Sequence, residues 1–181
     1  MPSDLVGKWR VSLADGVHDL EFEHGTTSGK RVVRVDGKEI YRVDWLFKLV
    51  GGVQFNIGKT KCVINIDASN GFSYQYTLQV NGQDYENFME NQRKIMKSWI
   101  VNVAENPIRI TLEKDTLEIW INGEKANPTA EFVDGGTETH FEICDHSAYI
   151  RASSSGNRRS GIVYSLFVDE QEIAPVSLDD T

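Results

Sequence analysis

Phe72-Ser73-Tyr74-Gln75-Tyr76-Thr77-Leu78-Gln79-Val80 places an apolar or aromatic side chain at every second position and a polar one between each pair. A period of two puts Phe72, Tyr74, Tyr76, Leu78 and Val80 on one face of an extended chain, the mark of a half-buried antiparallel strand. The alternation recurs in Trp9, Val11, Leu13; in Leu20, Phe22; in Ile108, Ile110, Leu112; in Leu117, Ile119, Ile121; and in Ile162, Tyr164, Leu166, Val168. Between these runs stand Asp15-Gly16, Asp36-Gly37, Asn70-Gly71, Asn81-Gly82 and Asn122-Gly123, residues that tolerate the positive φ of tight hairpins. The fold class is therefore all-β. One stretch departs from it: Tyr85, Phe88, Met89, Gln92, Ile95 and Met96 recur at three- and four-residue intervals behind Asp84, which predicts a helix over 85–97 with Asp84 as its N-cap.

The second half of the chain repeats the first. Trp9, Val11, Leu13 and Leu20 align with Trp99, Val101, Val103 and Ile110 at one constant spacing. With small changes of loop length, Val33, Val35 and Gly37 meet Ile119, Ile121 and Gly123, and Phe47 meets Phe132. Phe55 and Ile57 then meet Phe141 and Ile143, and Tyr76, Leu78 and Val80 meet Tyr164, Leu166 and Val168, without the order ever inverting. An antiparallel unit of this length hides its apolar face by folding into two packed sheets or by closing on itself. The expectation is two tandem antiparallel β-sandwich-like modules from an internal duplication, joined by a short helix: 1–84, a helical linker 85–98, and 99–181.

The chain has 181 residues, enough for one ordinary domain or two small ones, and 27 acidic against 19 basic side chains give a net charge of −8. Phosphate backbones and anionic membranes are repelled by that balance, so nucleic acid and membrane are not expected as partners. No apolar stretch approaches the ~20 residues of a membrane span. Met1-Pro2-Ser3-Asp4 opens without a basic segment or a long apolar run, and only Cys62 and Cys144 are thiols, which points to the cytoplasm. Lys30, Arg31, Arg34 and Lys38, and again Arg158 and Arg159, are basic clusters that guard strand edges or form a positive patch for an acidic protein. Asp169, Glu170, Glu172, Asp179 and Asp180 acidify the end of the chain.

Arrangements that could carry catalysis are weak. Gly25-Thr26-Thr27-Ser28-Gly29-Lys30 has three residues between its glycines and Arg31 where a phosphate loop needs a hydroxyl, so it reads as a polar hairpin loop. His140, Cys144 and His146 can share one strand face but do not converge from several elements, as a metal site must, and Cys144 reads as a small buried apolar group beside surface histidines. His24 abuts Glu23 and the glycine loop, where a hydrogen bond ordering the loop is the simpler role than a general base. Trp9 and Trp99 are core aromatics, whereas Trp45 and Trp120 suit either a core or an exposed anchor. Gly7-Lys8-Trp9 resembles the opening of lipocalin-type barrels, which gives an alternative: a carrier of one small apolar ligand.

Leu20-Glu21-Phe22-Glu23-His24-Gly25-Thr26-Thr27-Ser28-Gly29-Lys30-Arg31-Val32-Val33 and Glu131-Phe132-Val133-Asp134-Gly135-Gly136-Thr137-Glu138-Thr139-His140-Phe141 resemble the two signature segments of the Fas apoptotic inhibitory molecule family. Asp36-Gly37-Lys38-Glu39, Trp45-Leu46-Phe47-Lys48-Leu49-Val50 and Ser153-Ser154-Ser155-Gly156 extend the resemblance over nearly the whole chain. It implies a cytosolic regulator, not an enzyme, that opposes death-receptor-induced apoptosis and is associated with limiting protein aggregation. It also implies no cofactor and no catalytic or metal residues. The partners expected are other proteins of apoptotic or survival signalling, met through loops that carry Glu23, His24, Thr26, Thr27, Lys30, Arg31, Thr137, Glu138 and His140.

Overall fold

The computed structural model describes residues 3–156 and 161–178, so Arg158, Arg159, Asp179 and Asp180 lie outside the described residues. The first half carries β1 (Leu5–Leu13), β2 (Gly16–His24), β3 (Arg31–Val35) and β4 (Lys38–Val43), then β5 (Gly51–Ile57), β6 (Thr60–Ala68), β7 (Tyr74–Val80) and β8 (Gln83–Asp84). The single helix among the described residues, α1 (Tyr85–Ile95), follows. The second half opens with β9 (Met96–Val103), β10 (Asn106–Glu113), β11 (Glu118–Ile121) and β12 (Glu124–Lys125). It continues with β13 (Thr129–Val133), β14 (Gly136–Ile143), β15 (His146–Ser154), β16 (Ile162–Val168), β17 (Gln171–Ile173) and β18 (Pro175–Val176). The chain divides into two compact units, one holding the residues up to Leu13 and Val17–Gln92, the other Ala14–Gly16 and the residues from Arg93 onward.

In the first unit the sheets β1-β2-β3-β4 and β5-β6-β7-β8 face one another. Val11, Leu20, Phe22 and Val33 from one sheet pack with Val53, Ile64, Ile66, Leu78 and Val80 from the other. The helix belongs to this core: Phe88 and Met89 are buried in it, Gln92 Nε2 donates to the Ser12 carbonyl at 2.9 Å and the Tyr85 hydroxyl to the Arg10 carbonyl at 2.7 Å. The apolar face at three- and four-residue spacing, rather than intrinsic propensity, is what fixes so short a helix. It ends at Ile95 instead of residue 97, because the backbones of Met96 and Lys97 are taken into β9 opposite Glu113 and Leu112.

The second unit has two antiparallel sheets of its own, β12-β11-β10-β9-β18 and β13-β14-β15-β16-β17, closing on Trp99, Ile110, Leu112, Ile119, Phe141, Ile143, Ile150 and Leu166. The aligned pairs Val11 and Val101, Leu20 and Ile110, Val33 and Ile119, Phe55 and Phe141, and Leu78 and Leu166 are all buried. The hairpins repeat as well. Asp36 (φ 52°) and Asn122 (φ 47°) both precede a positive-φ glycine, and each side chain accepts a backbone N–H, from Asp19 and Arg109 respectively, at 2.8 Å. Each half seals its own core, so the single barrel suggested by Gly7-Lys8-Trp9 is not formed. The local reason for that glycine is different: a Cβ on Gly7 would lie 2.4 Å from the Trp9 ring.

Three expectations are corrected. Phe72 is fully exposed and lies outside β7, because residues 69–73 form a loop closed by the Ser69 N–H on the Ser73 carbonyl at 2.9 Å. Cys144 is exposed, since it occupies the tip of the β14–β15 hairpin with φ 45°, next to Asp145 at 67°. Leu117 precedes β11 at φ 61° and is also exposed.

Candidate interaction surfaces

The loop of residues 25–30 joins β2 to β3, and its residues fare differently. His24 is 2% exposed; its ring lies between Phe22, Tyr74 and Tyr76, with Nδ1 2.6 Å from the Tyr76 hydroxyl. Burial, reinforced by the Arg31 charge, lowers its pKa against opposing pulls from the Leu49 backbone and Asp4. Arg31 is buried too, and its guanidinium donates to the carbonyls of Lys48 (3.1 Å) and Val50 (2.9 Å). The Leu46 N–H donates to the Ser28 carbonyl at 2.9 Å, and a Cβ on Gly29 would strike the Leu46 carbonyl oxygen at 2.0 Å. Loop 25–30 and segment 44–50 are thereby pinned together.

The basic cluster is largely spent internally. Lys30 lies 3.3 Å from both Asp4 and Glu23, and Arg34 reaches the other Glu23 oxygen at 2.5 Å. Burial would raise the Glu23 carboxyl, but hydrogen bonds from Arg34 and Lys30 outweigh it and the pKa is lowered. Of the six candidates here, Thr26 and Thr27 are exposed, Glu23 and Lys30 are half-buried, and His24 and Arg31 serve the interior. Beside them, Trp45 (60% exposed) and Phe47 (94%) meet edge to face at 5.8 Å. The sequence leaves Trp45 open between core and anchor, and it aligns Phe47 with Phe132 without fixing its exposure.

The second candidate set lies on β14. Thr137 points with Thr139 between the sheets, whereas Glu138 and His140 stand on the outer face. There Glu131, Glu138 and His140 offer three ligand atoms within 4.8 Å of one another. His140 Nε2 is 3.2 Å from Glu131 and 3.1 Å from Glu138, and Arg151 grips the other Glu138 oxygen at 2.6 Å. That Arg151 hydrogen bond, the largest influence on Glu138, lowers its pKa. A cation would have to break the His140 contacts and share Glu138 with Arg151, so the arrangement suits an ion-pair network better than a metal centre. Next to it Tyr149 stacks on Phe167 at 5.0 Å, with the Arg151 guanidinium 5.1 Å from the Phe167 ring centre.

The thiols and remaining histidines do not assemble with these groups. His146 pairs with Asp169 at 2.6 Å and His18 with Asp36 at 2.8 Å. Cys62 is buried, which pushes its thiol up to about 11 and keeps it protonated at neutral pH.

Comparison with known proteins adds a separate finding. Residues 5–176 match the family described as Fas apoptotic inhibitory molecule (FAIM1). The chain is 54% identical over 176 residues to the Bos taurus protein named Fas apoptotic inhibitory molecule 1, covering 96% of this chain and 88% of the bovine one. Its identity to the Homo sapiens protein of the same name is 52% over 177 residues, 97% of this chain and 99% of the human one.

Proposed function

Because the chain belongs to the Fas apoptotic inhibitory molecule family, we propose that it restrains Fas-triggered apoptosis by binding other proteins and not by catalysis. The observation that carries this reading is identity above one half sustained over nearly the full length of the named relatives. The family is a regulatory one, not known for enzymes. We assign the cytoplasm as its place of action, a reading supported by two free cysteines. Among the described residues no helix is long and apolar enough to cross a membrane.

The contact surface we assign is Thr26 and Thr27 together with Trp45 and Phe47. Exposed aromatics on a pinned segment supply apolar contact area with little conformational entropy left to lose on binding. Cells lacking the protein, complemented with wild type or with Trp45→Ser/Phe47→Ser, test the reading under Fas ligand. Wild type is expected to lower the dying fraction, and the double variant to lose most of that protection at equal abundance and unchanged melting temperature. No protection by wild type defeats the function; full protection by a folded double variant defeats the surface.

A further inference from the structure

The end of the second unit that is built from the β10–β11 turn and the starts of β14 and β16 contains a cavity of about 130 Å³. Leu112, Ile119, Ile150, Ala152 and Tyr164 wall it, Thr137 and Thr139 line one side, and Leu117 and Ile162 flank it. Every one of these positions has a counterpart in the first half at the spacings of the repeat: Phe22, Val33, Ile64, Ile66, Tyr76, Gly51, Val53, Arg31 and Tyr74. In the first half this place is filled. The His24 imidazole sits there against Phe22, Tyr74 and Tyr76 and shares a hydrogen bond with the Tyr76 hydroxyl.

Three replacements empty it in the second half. Lys114 stands at the His24 position and turns its ammonium to the Lys94 carbonyl at 3.1 Å, Leu112 replaces Phe22, and Ala152 replaces Ile66. Tyr164, the counterpart of Tyr76, consequently has no hydrogen bond to its hydroxyl among the described residues, and neither have the hydroxyls of Thr137 and Thr139. A space walled by Leu, Ile and Ala that also carries unengaged hydroxyls has the make-up of a small-molecule site. Its volume is close to the ~150 Å³ of an apolar cavity that takes up benzene.

We propose that this cavity binds one small, neutral, largely apolar ring bearing a single hydrogen-bonding atom, which takes the place that the His24 ring holds in the first half. The apolar walls remove the ring from water, and the hydroxyls orient its polar atom. A charged molecule is disfavoured, because no ionised side chain among the described residues lines the space to compensate it.

Phenol and toluene, alike in size and different in their hydrogen-bonding atom, are suitable probes of the full-length chain labelled at its Ile and Leu methyls. Phenol is expected to give saturable NMR shifts at Leu112, Leu117, Ile119, Ile150 and Ile162, with a dissociation constant of about 1 mM, as befits so few heavy atoms. Ala152→Ile, which restores the side chain of the first half, should weaken both probes at least tenfold. Tyr164→Phe should weaken phenol severalfold and leave toluene unchanged. If Ala152→Ile does not fold, Thr139→Val, again the residue of the first half, replaces it and is expected to weaken phenol more than toluene. Shifts that do not saturate, that spread over the protein, or that persist equally in the folded variants would overturn the proposal.

Discussion

The corresponding ends of the two halves show what one repeated framework does with different side chains. In the first, His24, Arg31, Tyr74 and Tyr76 close the space between the sheets, and Arg31 sends its guanidinium on to hold segment 44–50 by the Lys48 and Val50 carbonyls. In the second, Lys114, Leu117, Ile162 and Tyr164 stand at those positions and leave a cavity. Leu117 has no donor with which to hold the next segment, and the counterpart of 44–50 instead runs as the edge strand β13, paired with β14 through Thr129 opposite His140 and Glu131 opposite Glu138. Phe47 and Phe132, aligned in the repeat, end up almost fully exposed by these two different routes. Backbone polar groups must find partners in either case, and one buried cation decides whether a side chain or a neighbouring strand supplies them.

The comparison can be broken most forcefully at the tryptophans that open each half. Trp99 is fully buried and Trp9 only half-buried beside Gly7. Trp99→Ala is expected to cost about 3–5 kcal/mol and Trp9→Ala about 2 kcal/mol, read from urea unfolding of the full chain. Equal costs would show that the two halves bury their first strand alike. Between the two tryptophans in size is Arg31→Leu, which imports the residue of the second half. It should cost about 2–3 kcal/mol, as loss of charged hydrogen bonds to buried carbonyls does, and should speed amide exchange at Leu46. Unchanged exchange there would mean that Arg31 does not hold the segment.

The smallest effect is the pH dependence of His24. Its pKa is lowered in the folded chain from the ordinary 6.5, so the unfolded chain takes up the proton first. The contribution of His24 is therefore complete above pH 6.5 and is lost as the pH falls below it towards the folded value, with a slope no steeper than about 1.4 kcal/mol per pH unit. Unfolding midpoints of wild type and His24→Gln, compared across that window, should converge as the pH drops. Parallel curves would place the proton equally in both states.

Much of the architecture was legible. The alternation at Tyr74, Tyr76, Leu78 and Val80 and the Asp-Gly and Asn-Gly turns are local signals, and local geometry obeys them. The tight turns Ala104-Glu105, Cys144-Asp145 and Asp169-Glu170 adopt positive φ at both central residues without a glycine, so composition hides them and makes Cys144 read as buried when it lies on a tip. Phe72 kept the period of its strand but lost its partner strand two residues early. Among the candidate contact residues, Thr26 and Thr27 are exposed, whereas His24 and Arg31 turn inward, which the sequence does not signal because it depends on partners at residues 48, 50 and 76, remote along the chain.

The amino-acid order alone determined the strand class, the repeat, the position of helix α1 and the family, since each rests on periodicity or on contiguous strings of residues. Tertiary packing alone sets the helix as a wall of the first core, pairs Lys30 and Arg34 with Glu23, and plugs one end of the repeat while its counterpart is hollow. Those outcomes depend on volumes and hydrogen-bond partners brought together from distant segments, and packing of that kind has no period along the chain.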